Sequence, residues 1–241
     1  MRTRLDLLLV DRGLFDSRAK ARAAIEAGGV TVDGKPATKA SLAVEEDADI
    51  AAVAAHPYVG RGALKLEHAL NLWPVTVEGR TVLDIGASTG GFTEVCLLRG
   101  ALQVFAVDVG RDQLHPRIAE DPRVVELPGQ DARSLDIDLI PTAPQLVVCD
   151  LSFISVTKAL GPALALAASG ADLVLLVKPQ FEAGRERVGK GVVTDPAIRQ
   201  DCLDTVAAWV AEQGWRVEAT TDSPITGGDG NHEFLLWARK P

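Results

Sequence analysis

The chain predicts an α/β protein: a mostly parallel seven-stranded sheet with helices on both faces, preceded by a small α+β domain. Three observations carry that reading. From residue 81 onward, short apolar β-rich runs alternate with helical stretches, as parallel strands joined by crossover helices require. Residues 1–55 instead show two short helices followed by turn-separated strands. Between the two patterns, His56-Pro-Tyr-Val-Gly60 interrupts any helix and reads as a linker, dividing the chain at 1–55, 56–62 and 63–241.

Residues 5–13 read as a short helix ending at Gly13. Ser17 caps a second helix, Arg18 to Ala27, with Ala21, Ala24 and Ile25 on one face. Gly28-Gly29 stops it, and Val30-Thr-Val32 runs into Asp33-Gly34, a hairpin signal. A further strand is expected near 49–53. Residues 1–40 hold eight Arg or Lys against five acids, a local excess of three on a chain whose net charge is −8. Arg4, Arg18, Lys20 and Arg22 are the RNA-binding candidates, because a basic face on an acidic protein fits an RNA footprint. A solvated helix face would look similar.

In the second region, strands are expected at 81–85, 103–107, 124–127, 146–149, 173–177, 216–220 and 233–238. The first ends in Val82-Leu-Asp-Ile-Gly-Ala-Ser-Thr-Gly-Gly-Phe92, whose glycines let a backbone approach a ligand closely. Asp84 decides which ligand. A carboxylate before the first glycine suits the cationic methionine end of S-adenosylmethionine and would repel a pyrophosphate. Asp108 ends the next strand, 22 residues after Gly86, where an acid accepts from both ribose hydroxyls. Asp131, after the third strand, is a candidate acceptor for the adenine amino group. The cofactor set is therefore Asp84, Gly86, Ser88, Thr89, Gly90, Gly91, Phe92, Asp108 and Asp131, on a Rossmann-like S-adenosylmethionine-dependent methyltransferase fold.

Substrates of such folds sit at the end of the fourth strand, here Val148-Cys-Asp150-Leu-Ser-Phe153. No proline pair shapes a trap for an exocyclic amine, and Cys149 should point away from Asp150 by strand alternation. Neither base chemistry is supported. Lys65, Lys178 at the end of the fifth strand, and Glu233 at the start of the last join Asp150 as catalytic candidates. The odd, widely spaced Cys96, Cys149 and Cys202 read as free thiols, and no metal site is expected. Apolar runs such as Leu173–Val177 are far too short to span a bilayer, and no targeting signal is read at the N-terminus. A cytoplasmic monomer without a membrane partner is expected.

The N-terminal pattern Arg4-Leu-Asp6, Gly13, Ser17-Arg18, Ala21, Ile25, Gly29-Val-Thr-Val32 and Gly34 resembles the small RNA-binding domain first described in ribosomal protein S-four. The order Lys65–Asp150–Lys178–Glu233 resembles the tetrad of FtsJ-type ribose 2′-O-methyltransferases. With Gly60-Arg-Gly-Ala-Leu-Lys-Leu66, Cys149-Asp-Leu-Ser-Phe-Ile-Ser155, Val177-Lys-Pro-Gln-Phe-Glu-Ala-Gly184 and Gly230-Asn-His-Glu-Phe234, nearly the full chain is similar to the TlyA family. One departure is Arg187-Val-Gly-Lys-Gly191, which has one glycine fewer than the family form. The resemblance implies S-adenosylmethionine-dependent methylation of cytidine 2′-hydroxyls in 23S and, in some members, 16S ribosomal RNA, with ribosomal subunits as partners. Members also carry the label hemolysin. The competing readings are an RNA base methyltransferase on the same scaffold, a non-catalytic RNA-binding assembly factor, and a membrane-active protein.

Overall fold

A computed structural model describes residues 2–189, 191–227 and 230–241, so Lys190 of the glycine-poor segment lies outside the described residues. The chain divides into two units, Met1–Tyr58 and Val59–Pro241.

The first unit comprises β1 (Arg2–Arg4), α1 (Leu5–Asp11), α2 (Arg18–Glu26), β2 (Val30–Val32), β3 (Lys35–Pro36), β4 (Ala43–Glu45) and β5 (Ile50–Ala52). Ser17 caps α2 by accepting from the Lys20 amide. Leu5, Leu8 and Leu9 of α1 pack on Ala21, Ala24 and Ile25 of α2, with Phe15 and Val30 closing the core. Asp33 and Gly34 both have positive φ (49° and 72°), the mirror-image turn that a tight hairpin requires. β1 pairs antiparallel with β4, a match of two three-residue segments some 40 positions apart that leaves no periodicity to read in the sequence.

The second unit comprises α3 (Gly62–Leu72), β6 (Thr81–Ile85), α4 (Gly91–Leu98), β7 (Gln103–Asp108), α5 (Pro116–Ala119), β8 (Val124–Pro128), β9 (Leu146–Cys149), α6 (Val156–Ala159), α7 (Gly161–Leu166), β10 (Asp172–Val177), α8 (Pro179–Glu182), α9 (Pro196–Glu212), β11 (Arg216–Asp222) and β12 (Phe234–Arg239). The seven strands order as β11-β12-β10-β9-β6-β7-β8. All neighbours pair in parallel except β12, which runs against β10 and β11. One face of the sheet (Leu83, Ile85, Val147, Leu173, Leu175) packs on Leu203, Val206 and Val210 of α9. The other meets α4, whose Thr93 bonds to Asp84 of β6. β6 lies between β7 and β9, so the chain leaves it to one side and later returns on the other. That reversal opens a crevice at the carboxyl ends of the strands.

At the opposite edge, Asp172 is fully buried. Its carboxylate accepts from Arg80 (2.7 Å), from the Trp237 indole (2.9 Å) and from Arg239 (3.1 Å), tying β10 to β12 and to the start of β6. Replacing Asp172 with Ala strands these donors. The expected loss is about 3 kcal/mol of unfolding free energy, read from urea midpoints at constant slope.

Candidate active site

Gly86 follows β6 with φ +84°, and a Cβ there would stand 2.8 Å from the Asp150 carbonyl oxygen. Only glycine fits, so the loop after β6 and the loop after β9 touch backbone to backbone. The Asp150 amide donates to the Ile85 carbonyl (2.9 Å) and the Gly86 amide to that of Val107 (2.9 Å), locking the two turns in register. Ser88 takes a left-handed conformation (φ 47°), and Gly90 (φ 93°) packs on Leu114 and Ile118 as it opens α4.

Two adjoining grooves run over these loops. One, about 250 Å³, is lined by Gly86, Ser88, Asp108, Gln113, Gln130 and Ala132, among others. The next is lined by Gly60, Thr89, Gly91 and Phe92 as well as Gly86 and Ser88. Both share Asp150 and Ser152. Asp108 is held by two backbone donors, Ser88 N (2.8 Å) and Gly110 N (2.7 Å), which leave further lone pairs facing the groove. Asp131 is placed differently from its expected role. Its carboxylate caps the following turn and pairs with Arg133 (2.6 Å), which holds it down at about 2, while its neighbours Gln130 and Ala132 line the groove.

Asp84 lies beneath the loop, fully buried. Its Oδ2 accepts from Thr93 (2.6 Å), but Oδ1 is buried without a partner. Burial pushes the carboxyl up to about 7, against the pull of Thr93.

Lys65, Asp150, Lys178 and Glu233 converge on one cleft of about 500 Å³. Lys65, on α3, pairs with Glu233 at 2.5 Å, and Lys178, just after β10, pairs with Asp150 at 2.5 Å. Lys178 also donates to Ser152 (2.8 Å). Both lysines and Glu233 are at least nine-tenths buried. Because β12 is reversed, its amino end reaches the same sheet edge as the carboxyl ends of β9 and β10, which is how Glu233 joins residues that follow strands. Gly227 presses on that carboxylate: a Cβ at residue 227 would lie 2.1 Å from Glu233 Oε1. Cys149 is fully buried, with its thiol pushed up to about 12 by burial, so it supplies no thiolate.

Sequence reasoning missed Ser152, Phe153, Gln180 and Gly227. Phe153 is 91 % exposed with φ 68°, its ring 5.3 Å from that of Phe181. An exposed aromatic in the left-handed region has no periodicity signal. In the first unit, the candidate cations are already engaged. Arg4 (2.9 Å) and Arg18 (2.8 Å) flank buried Asp6, and the Arg4 contact leads in holding that carboxyl down at about 2. Lys20 pairs with Asp16 and Arg22 with Glu26.

The model of the FtsJ-like methyltransferase family matches residues 58–240, and that of the S4 domain matches residues 3–50. The 16S/23S rRNA (cytidine-2′-O)-methyltransferase TlyA of Mycobacterium tuberculosis is 46 % identical, over 99 % of this chain and 90 % of its own. Hemolysin A of Brachyspira hyodysenteriae is 37 % identical, over 96 % of this chain and 98 % of its own. A solved structure from Streptococcus thermophilus, described as a candidate hemolysin, superposes with a TM-score of 0.79 at 38 % identity, over 99 % of this chain and 88 % of that one. No helix among the described residues is long and apolar enough to cross a membrane.

The Asp84 carboxyl titrates higher when folded than its ordinary 3.8, so its ionisation opposes folding as pH rises from about 4 to 7. Asp84→Asn removes that term. The variant should gain about 4 kcal/mol on the wild type between pH 4 and pH 8, a size set by a three-unit shift. Denaturant titrations at the two pH values measure it, and an equal offset at both would be the contrary result.

Proposed function

The chain belongs to the FtsJ-like methyltransferase family, and from that premise we propose that it methylates cytidine 2′-hydroxyls of ribosomal RNA, in 23S and also 16S, using S-adenosylmethionine. One observation carries the assignment. A cleft holding two buried lysine–carboxylate pairs opens, through Asp150 and Ser152, into the glycine-loop grooves.

The residues present fit the cofactor. Asp84 keeps a buried carboxylate oxygen without a partner beneath the loop, and Asp108 is a backbone-braced acceptor for a ribose diol. Gly86, Ser88, Thr89 and Gly91 line the adjoining grooves, so the loop itself would face the cofactor. S-adenosylmethionine held by these residues would supply an electrophilic sulfonium methyl for the 2′-oxygen.

A ribose hydroxyl is a weak nucleophile at neutral pH, so the chain must take its proton. Asp150 and Ser152 fix the Lys178 amine from two sides, leaving its remaining valence for the 2′-oxygen. The proton passes to the Lys178–Asp150 pair. Lys65 and Glu233 close the far side as a second neutral pair, keeping the cleft from accumulating charge that would repel a phosphodiester. Phe153, with Phe181 behind it, presents an exposed ring at the rim of both cleft and groove, suited to stacking on the target base. The buried, protonated Cys149 weighs against C5 base chemistry. The reading takes the enzyme as a cytoplasmic monomer, the first unit contributing RNA affinity through Arg4, Arg18, Lys20 and Arg22.

Two outcomes test it. Lys178→Ala should lower methyl transfer to unmodified ribosomal subunits by about 10³-fold or more while cofactor affinity stays within a few-fold. The label should be recovered in a nuclease-resistant 2′-O-methyl dinucleotide, and label on a base would refute the ribose assignment. Lys20→Ala with Arg22→Ala should flatten the salt dependence of rRNA binding by roughly one to two log units per log salt, without changing the product. An unchanged slope would remove these residues from the interface.

A further inference from the structure

Glu182 stands outside the tetrad, yet its carboxylate bridges the two loops that carry half of it. It ends α8, four residues past Lys178. Oε1 accepts from the Val156 amide (2.9 Å), and Oε2 accepts from the Ser155 hydroxyl (2.5 Å). Ser155 Oγ lies 2.8 Å from Thr157 Oγ1, extending the contact into α6. Val156 and Ser155 close the turn that begins at Asp150 and passes through Ser152 and Phe153. That turn holds Phe153 at φ 68°, a conformation a bulky side chain keeps only where its surroundings over-determine it. Two of the ties that hold it come from α8: the ring of Phe181 against Phe153, and the carboxylate of Glu182 against Ser155 and Val156. Burial pushes the Glu182 carboxyl up, opposed by its bonds to Ser155 and Val156 and by nearby Lys158. A carboxylate kept half-buried at that cost has a geometric task.

We infer that Glu182 is a positioning residue for methyl transfer: by bolting the 150–156 turn to α8, it sets the spacing of Asp150 and Ser152 around the Lys178 amine. The inference rests on the roles proposed above for Lys178 and Asp150. It differs from a simple helix cap in what it predicts, because a cap would stabilise the fold and leave kcat alone.

The test compares full-length wild type, Glu182→Ala, Glu182→Gln and Ser155→Ala. The readouts are methyl transfer to unmodified ribosomal subunits, S-adenosylmethionine binding by calorimetry, and thermal midpoint. Glu182→Ala should lose kcat by about thirtyfold, with KM for subunits and cofactor Kd within threefold. Glu182→Gln keeps a carbonyl for the Val156 amide and an NH₂ for the Ser155 oxygen, so it should recover to within about threefold of wild type. Ser155→Ala loses one of the two bonds and should fall between them, which preserves the test if Glu182→Ala does not fold. Wild-type kcat in a folded Glu182→Ala or in Ser155→Ala would overturn the inference, as would a loss matched by the unfolded fraction alone. A wild-type enzyme that transfers no methyl would instead overturn the functional reading beneath it.

Discussion

The second unit is organised around one steric contact: the carbonyl of Asp150 occupies the space a side chain on residue 86 would need. A parallel sheet sets neighbouring strands about 5 Å apart, and the chain reverses its winding between β6 and β9. Bringing the two turns into backbone contact there makes the floor of the cofactor grooves and the wall of the acceptor cleft the same few atoms. A methyl donor and its acceptor must approach within van der Waals distance along one line, and shared walls suit the proposed grooves to that. Gly62 repeats the device from α3, where a Cβ would lie 3.3 Å from Asp150 Oδ2.

Charge is handled by the same economy. Two lysines and two acids meet in one cleft, Lys65, Lys178 and Glu233 buried, and each ion is costly there alone. Pairing them as Lys178–Asp150 and Lys65–Glu233 makes the four neutral in sum while keeping both donors and acceptors available. Asp84 is the exception. It has hydroxyl support on one oxygen and nothing on the other, so burial dominates and its carboxyl rises toward 7. A buried carboxyl displaced in this way marks a candidate functional position.

Much of this was legible in the sequence because it rests on pattern. The alternation of apolar runs with helices announced the parallel sheet, and the strand-end positions of Asp84, Asp108, Asp150 and Lys178 follow from the strand boundaries. Ser17 and Asp33-Gly34 carried their own turn chemistry. What stayed hidden depends on distance in three dimensions. β1 and β4 are too short to show a period. Asp131 has the right residue type at the right strand end, but Arg133 two residues on captures its carboxylate. The basic residues of α2 and β1 could be counted, yet not their partners Asp6, Asp16 and Glu26. The left-handed Phe153 and the reach of Glu182 to Ser155 are products of tertiary packing alone.

Cys149 gives the site a built-in clock. Its thiol is wholly enclosed, is held in the protonated form, and immediately precedes Asp150. A thiol that is neither exposed nor ionised meets an alkylating reagent only during excursions that uncover this strand from the residues packed over it. Its labelling rate therefore counts the openings of the strand on which the acceptor cleft is hung. A ligand that binds only the closed form slows that count.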